Sequence, residues 1–362
     1  MKTARTYCPK PALGRIMHRS TRLIDNKGLS MKIKTCLTAL MISTSAMAEV
    51  LPVTLDNYEW AESDLAFQNI TKLVGSNQWF HFPGLTPLDN QTVVRMNRDT
   101  IYSGYVADLS NGGTVTIPET DDGRYLSVMI VQNDHYIDQV FTKPGTYEIE
   151  SQTDFALITA RTRINPNDPK DLENVKRYQS QIEVSTPTKK EHVMPPYDMD
   201  QLLAIRAELV AEGSKLGSLK NMQGKHGQVD KQMHLYGTAL GWGLLPDENA
   251  QYISYYSKEG IADSKNCSVA TFEKPPINDT GFFSITVYDK EGWITNEQSI
   301  LNDYNLKYNE DGTFTVHFGS CPEGSRNVLL VADNWDLLLR AYEPILDKME
   351  AYQIPTPTLL EQ

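Results

Sequence analysis

Four charged residues stand inside strand-forming sequence early in the chain. Arg95, Arg98 and Asp99 lie among Val93, Val94, Met96 and Ile101, and Arg124 opens onto the apolar run from Tyr125 to Val131. An ionised side chain is costly to take out of water without a partner, so charges in such sequence are either paired or gathered at a site. Arg98 and Arg124 could hold an anionic or polyhydroxylated ligand, with Tyr102 beside them and Asp99 as base or orienting group. The same residues could instead form a buried Arg–Asp pair that fastens two strands, the commoner outcome for such a pair, because structural ion-pair networks perturb charges as sites do. His135 follows Asn133-Asp134, with Tyr136 and Asp138 beyond. It is the second acid–base candidate, or a hydrogen-bonding residue at a loop tip.

Other chemistries find little footing. No Gly-x-Ser-x-Gly nucleophile elbow occurs. No second histidine stands at metal-ligand spacing from His135, and His226 and His234 are eight positions apart, which suits neither one helix face nor a hairpin. Gly237, Gly241 and Gly243 form a Gly-x-x-x-Gly-x-Gly run without the preceding strand or following Lys-Ser/Thr of a phosphate loop, so a helix end packed closely on a sheet is expected there. Tyr252, Tyr255, Tyr256 and Trp242 could stack on a sugar ring or form interdomain core. Neither a metal nor a cofactor is expected.

The elements that must position these residues follow a leader. Met31–Lys34 is basic, Cys36–Ile42 apolar, and Ala46-Met-Ala48 fits a signal peptidase site. This predicts an upstream extension with a start at Met31, cleavage after Ala48, and a periplasmic or secreted protein; the apolar run is too short to anchor it in a bilayer. Cleavage removes nine of the 34 basic and one of the 46 acidic residues, which leaves 25 against 45, a net of −20. Such a surface repels phosphate backbones and disfavours nucleic acid as a partner. The two remaining cysteines, Cys267 and Cys321, both sit at predicted strand ends, and in an oxidising compartment they are expected to form a disulfide.

Helices are predicted over 55–74, 171–182, 200–216 and 229–240, with Leu202, Leu203, Ile205, Leu209 and Val210 on the inner side of the third. Residues 79–88 read as a loop. Short strands are predicted over 91–96, 100–107, 114–117, 125–132, 140–141, 145–150 and 155–163, and again over 268–272, 282–288, 313–318, 327–331 and 337–342, separated by turn sequences such as Asn111-Gly-Gly113 and Asp289-Lys-Glu-Gly292. That pattern implies a β-rich (α+β) fold of two β-sandwich-like domains joined by a helical connector. The expected boundaries are 1–48 for the leader, 49–185 for the first domain, 186–250 for the connector and 251–362 for the second domain.

The run MNRDTIYSGYVADLS, then TIPETDDGRYLSVMI and GTYEI, resembles domain of unknown function 1254. GFFSITVYDKEGWI, DGTFTVHFG, CPEG and LLLRAYEP resemble its usual downstream companion, domain of unknown function 1214. The resemblance implies a two-domain, β-rich, exported bacterial protein with no established activity. Two functions stay open. One is an envelope protein that binds a small polar or anionic ligand in the first domain or at the domain junction. The other is a cofactor-free hydrolase of a small polar or carbohydrate-like substrate, with Asp99 and His135 as its acid–base pair.

Overall fold

The computed structural model describes residues 50–89, 91 and 95–360. The predicted leader, and residues 92–94 of the strand predicted over 91–96, lie outside the described residues; 91, 95 and 96 are not in a strand. In chain order the first elements are α1 (Tyr58–Val74), β1 (Trp79–His81), β2 (Thr100–Asp108), β3 (Thr114–Ile117), β4 (Leu126–Gln132), β5 (Gln139–Phe141), β6 (Gly145–Glu148), β7 (Phe155–Arg163), α2 (Asp171–Gln179) and β8 (Glu183–Ser185). Then come α3 (Met199–Gly213) and α4 (Lys231–Leu240). The remainder is β9 (Ala250–Tyr256), β10 (Cys267–Phe272), β11 (Phe283–Tyr288), β12 (Ile300–Asn302), β13 (Phe314–Gly319), β14 (Val328–Leu329), β15 (Asp336–Tyr342), α5 (Leu346–Met349) and β16 (Thr358–Leu359).

The strands form two sandwiches. In the first, an antiparallel sheet of order β1-β2-β7-β4-β5 packs on a three-stranded sheet β6-β3-β8. Ala107, Val128, Ile130, Ile158 and Ala160 of the larger sheet meet Val115 and Ile117 of the smaller one. In the second, β12-β11-β15-β9 packs on β14-β13-β10-β16. Its core joins Phe283, Ile285 and Leu339 to Phe272, Phe314 and Phe318. The strands alternate with period two, as pleated backbone requires. In β11, Phe283, Ile285 and Val287 enter that core while Ser284, Thr286 and Tyr288 take the opposite face. That opposite face is also buried: Ser284 and Thr286 are fully inaccessible. The same holds in β7, where Arg161 and Arg163 alternate with Ala160 and Thr162 and all four are buried. The outer faces of the two large sheets are therefore covered, and their polar residues make an interior layer.

The helices obey local rules. The Asp198 carboxylate accepts from Asp200 N and Gln201 N at 3.1 Å each, and Asp230 accepts from Gln232 N and Met233 N, so α3 and α4 begin at side-chain caps. Leu202, Ile205 and Leu209 of α3 pack on Tyr58 and Ala61 of α1. Leu203, expected inside, is 50% exposed; it falls off the stripe that residues 202, 205 and 209 make along one helix face. Residues 79–81 are a strand, contrary to the expected loop: Trp79 pairs with Tyr105 and His81 with Ser103. A three-residue aromatic run beside Pro83 and Gly84 carries too little alternation to reveal an edge strand. The Gly-x-x-x-Gly-x-Gly run is the end of α4, but its close contact is with a loop, not a sheet: a Cβ at Gly237 would lie 2.2 Å from Met222 O. The Pro-rich stretch after β8 is tied down, with Lys190 N donating to Asp108 Oδ2 at 2.8 Å and His192 N to Ser76 Oγ at 2.9 Å. Cys267 and Cys321 form the expected disulfide beside the β10–β13 pairing.

Candidate functional site

Asn97 organises the segment that leads into β2. Its Oδ1 accepts from the backbone N–H groups of Asp99 and Thr100, and its Nδ2 donates to Tyr342 Oη at 2.7 Å. This Asx-type turn holds the next two side chains toward different partners. Asp99 is fully buried and accepts from Ser284 Oγ at 2.5 Å and Asn302 Nδ2 at 3.0 Å. Burial raises its carboxyl above the usual range, opposed by those two hydrogen bonds and by the charges of Arg340 and Arg163. Asp99 thus pins the entry of β2 to β11 and β12. Arg98 does not pair with it; its Nη2 meets Glu297 Oε2 at 2.7 Å.

Arg98 lines a cleft of about 460 Å³ between the 166–167 loop and the segments around Glu297, Asn305, Lys307 and Asn327. The Arg98 side chain is 10% exposed, whereas the Glu297 side chain is 71% exposed. Arg98 Nη1 is buried and has no hydrogen-bond partner among the described residues. Lys307 is exposed and joins no ion pair among them. Asn305 and Asn327 serve the fold: Asn327 donates to Lys307 O and Thr315 O at 2.8 and 2.9 Å, and Asn305 donates to Ile300 O. The cleft thus presents two cations against one exposed carboxylate in a chain of net charge −12. A second, more open groove of about 360 Å³ lies beside Glu191 and His192, whose Nε2 meets Asp64 Oδ1 at 2.7 Å.

The other residues singled out by sequence stand elsewhere. The guanidinium of Arg124 is saturated: it donates to Asp122, to both carboxylate oxygens of Asp171 and to Arg163 O. Those carboxylates hold it firmly protonated, and in this state it has no donor left for a ligand. Tyr102 is half-buried, its ring 5.3 Å from the Arg161 guanidinium carbon. His135 is fully buried, not at an exposed loop tip, because α4 and Trp242 cover the β4–β5 turn. Thr238 Oγ1 donates to His234 O, so it accepts from His135 Nδ1–H at 2.8 Å, while His135 Nε2 accepts from Gly243 N at 3.0 Å. Both bonds fit the neutral ring, and burial holds its pKa well below the usual imidazole value.

Asp99 and His135 do not meet. Asp99 precedes Thr100, which pairs with Arg163 at one end of β7; His135 follows Gln132, which pairs with Ala156 at the other. Seven strand steps at about 3.3 Å separate the two ends, roughly 23 Å. Tertiary structure instead gathers His135, His234 and His226 around Tyr136, which stacks on His234 at 3.9 Å and lies 4.1 Å from His226. His226 bridges Asp134 and Asp138 at 2.8 Å each. Among the described residues no group of three or more His, Cys, Asp or Glu is placed to hold a metal ion.

Sequence reasoning passed over Arg161, Arg340, Glu297 and Lys307. The only signal for the first two was a charged residue at an alternate position of an otherwise apolar strand, which ordinarily marks a solvent-facing edge.

Residues 76–186 match the family described as "Protein of unknown function (DUF1254)", and residues 251–345 match "Protein of unknown function (DUF1214)". No curated protein matches the chain. Among solved structures, the VPA0106 protein from Vibrio parahaemolyticus superposes with a TM-score of 0.66 at 16% identity, over 85% of this chain and 98% of that one. A putative uncharacterized protein from Burkholderia cenocepacia gives 0.45 at 13% identity, over 84% and 87%. At these identities the likeness to the Vibrio protein concerns the fold. No helix among the described residues is long and apolar enough to cross a membrane.

Proposed function

We propose, for a chain that belongs to the proteins joining a DUF1254 domain to a DUF1214 domain, that it binds a small anionic ligand in the cleft at Arg98. The observation that carries this reading is the Arg98 guanidinium, nine-tenths buried at the cleft wall with Nη1 unpartnered. A buried charged donor without an acceptor is costly, and a ligand carboxylate or phosphate would supply the missing partner. Lys307 adds a second positive charge, and a positive cleft in an acidic protein concentrates anions locally. A volume of about 460 Å³ suits a small molecule. Glu297 acts as the resident acceptor. Because it is mostly in water, its bond to Arg98 is weak enough to exchange for a bound anion.

The test is calorimetric titration with citrate and other small di- and tricarboxylates. Binding is expected in the wild type, lost in Arg98→Ala and tighter in Glu297→Gln. A panel that binds Arg98→Ala as well as wild type, or binds neither wild type nor Glu297→Gln, refutes the reading. The rival hydrolase reading, with Asp99 and His135 as its pair, has no observation in its favour.

We also propose that the protein works outside the cytoplasm, with residues 49–185 and 251–362 as two β domains around a 186–250 connector. The Cys267–Cys321 bond supports export, since such bonds persist in oxidising compartments. N-terminal sequencing of the exported chain should begin at Glu49.

A further inference from the structure

We propose that the polar layer between the two large sheets holds a second anion site, built on Arg161, that takes one small oxyanion such as a carboxylate or phosphate group. This does not rest on the Arg98 cleft. Arg161 is the seventh of the nine residues of β7 and is 4% exposed. Among the described residues it has no carboxylate partner: its guanidinium donates to Gly243 O at 2.6 Å and lies 3.9 Å from Met129 Sδ. A buried guanidinium without a counter-charge is among the costliest groups a fold can keep.

The neighbours of Arg161 are donors. Ser127 stands directly opposite it on β4 and Tyr102 directly opposite it on β2, so the three share one row and one sheet face. Tyr125, Tyr252 and Tyr342 also lie near it. Ser127 Oγ and Tyr125 Oη are both buried and lie close to each other, with no hydrogen-bond partner beyond that pair among the described residues. Two orphan hydroxyls beside an unneutralised guanidinium are what an oxyanion would satisfy together.

The facing sheet does not supply the missing charge. There Arg340 pairs in register with Tyr252, is 3% exposed, and donates to Thr286 Oγ1, Tyr288 Oη and Arg95 O, again without a carboxylate. The layer's carboxylates are engaged elsewhere: both oxygens of Asp99 accept from Ser284 and Asn302, and Asp336 pairs with Arg95. Arg163 is answered by Asp303. The layer therefore carries more positive than negative charge. Tyr102 and Tyr252, both half-buried, are the members of this group nearest to solvent.

The experiment is a thermal-unfolding titration with inorganic phosphate against sodium chloride at matched ionic strength, on wild type, Arg161→Met, Tyr125→Phe and Arg98→Ala. Phosphate also stabilises proteins by surface exclusion, which is gradual and does not saturate. The expected result is a saturating rise of Tm in wild type and in Arg98→Ala, with only the gradual rise in Arg161→Met. Tyr125→Phe removes one donor without changing packing and should weaken the apparent affinity roughly tenfold. A phosphate response in Arg161→Met equal to wild type overturns the proposal, as does saturation that vanishes in Arg98→Ala, which would assign the anion to the cleft. If Arg161→Met fails to fold, Tyr125→Phe decides: an unchanged saturating response sinks the site.

Discussion

Removal of the Cys267–Cys321 bond tests how the second sandwich is held. The two cysteines are 54 positions apart, and β10 and β13 are joined by six register pairs from Cys267–Gly319 to Phe272–Phe314. The folded strands are thus already aligned, and the bond acts chiefly on the unfolded chain. Closing a loop of this length removes unfolded-state entropy of about 14 cal/mol/K, or about 4 kcal/mol at 25 °C. With a urea slope of about 3 kcal/mol/M, the double variant Cys267→Ala/Cys321→Ala should lose about 1.3 M in midpoint. Trp335 is the reporter, because it is 1% exposed and stacks on Phe318 of β13 at 4.8 Å. With Trp60, Trp79, Trp242 and Trp293 replaced by Phe in both proteins, its fluorescence reads this sandwich even where the first one unfolds at a different urea concentration. The variant's slope should also rise, because an unlinked unfolded chain exposes more surface. A midpoint shift worth less than about 1 kcal/mol, or an unchanged slope with a faster unfolding rate, would refute the unfolded-state argument.

Other outcomes follow from single residues. Asp99→Ala should cost about 3–5 kcal/mol, because it leaves Ser284 and Asn302 without their buried acceptor and Arg340 and Arg163 without a nearby negative charge, whereas Asp99→Asn keeps the shape and should cost much less; equal losses in urea unfolding would show that the carboxylate is not the pin. The His226 pKa is raised above 6.5 by Asp134 and Asp138 against the opposing effect of burial. Its contribution to stability is therefore full below 6.5 and is lost as pH rises through the higher folded value, so the stability gap between wild type and His226→Gln should shrink with rising pH. Gly237→Ala should destabilise despite the helix-propensity gain of about 1 kcal/mol, since its Cβ would meet Met222 O at 2.2 Å; a higher Tm would contradict the contact. Phe314→Ala, at a fully buried ring stacked on Phe272 and Phe283, should lose about 3–5 kcal/mol by the Trp335 signal.

Local chemistry made much of the architecture legible. Alternation in FSITVY and FALITARTR identified strands because the pleat imposes period two whatever lies beyond the strand. Helices announced themselves by the spacing of their apolar residues, and two cysteines at strand ends announced their bond. What only the tertiary structure decided is which polar faces see water and which charges meet. Arg98 finds Glu297 199 positions away, and Asp99 finds Ser284 and Asn302 185 and 203 positions away. A half-polar strand looks the same in sequence whether water or a second sheet covers it. Here a second sheet covers it, and that burial turns scattered Arg, Tyr and Ser residues into an interior layer.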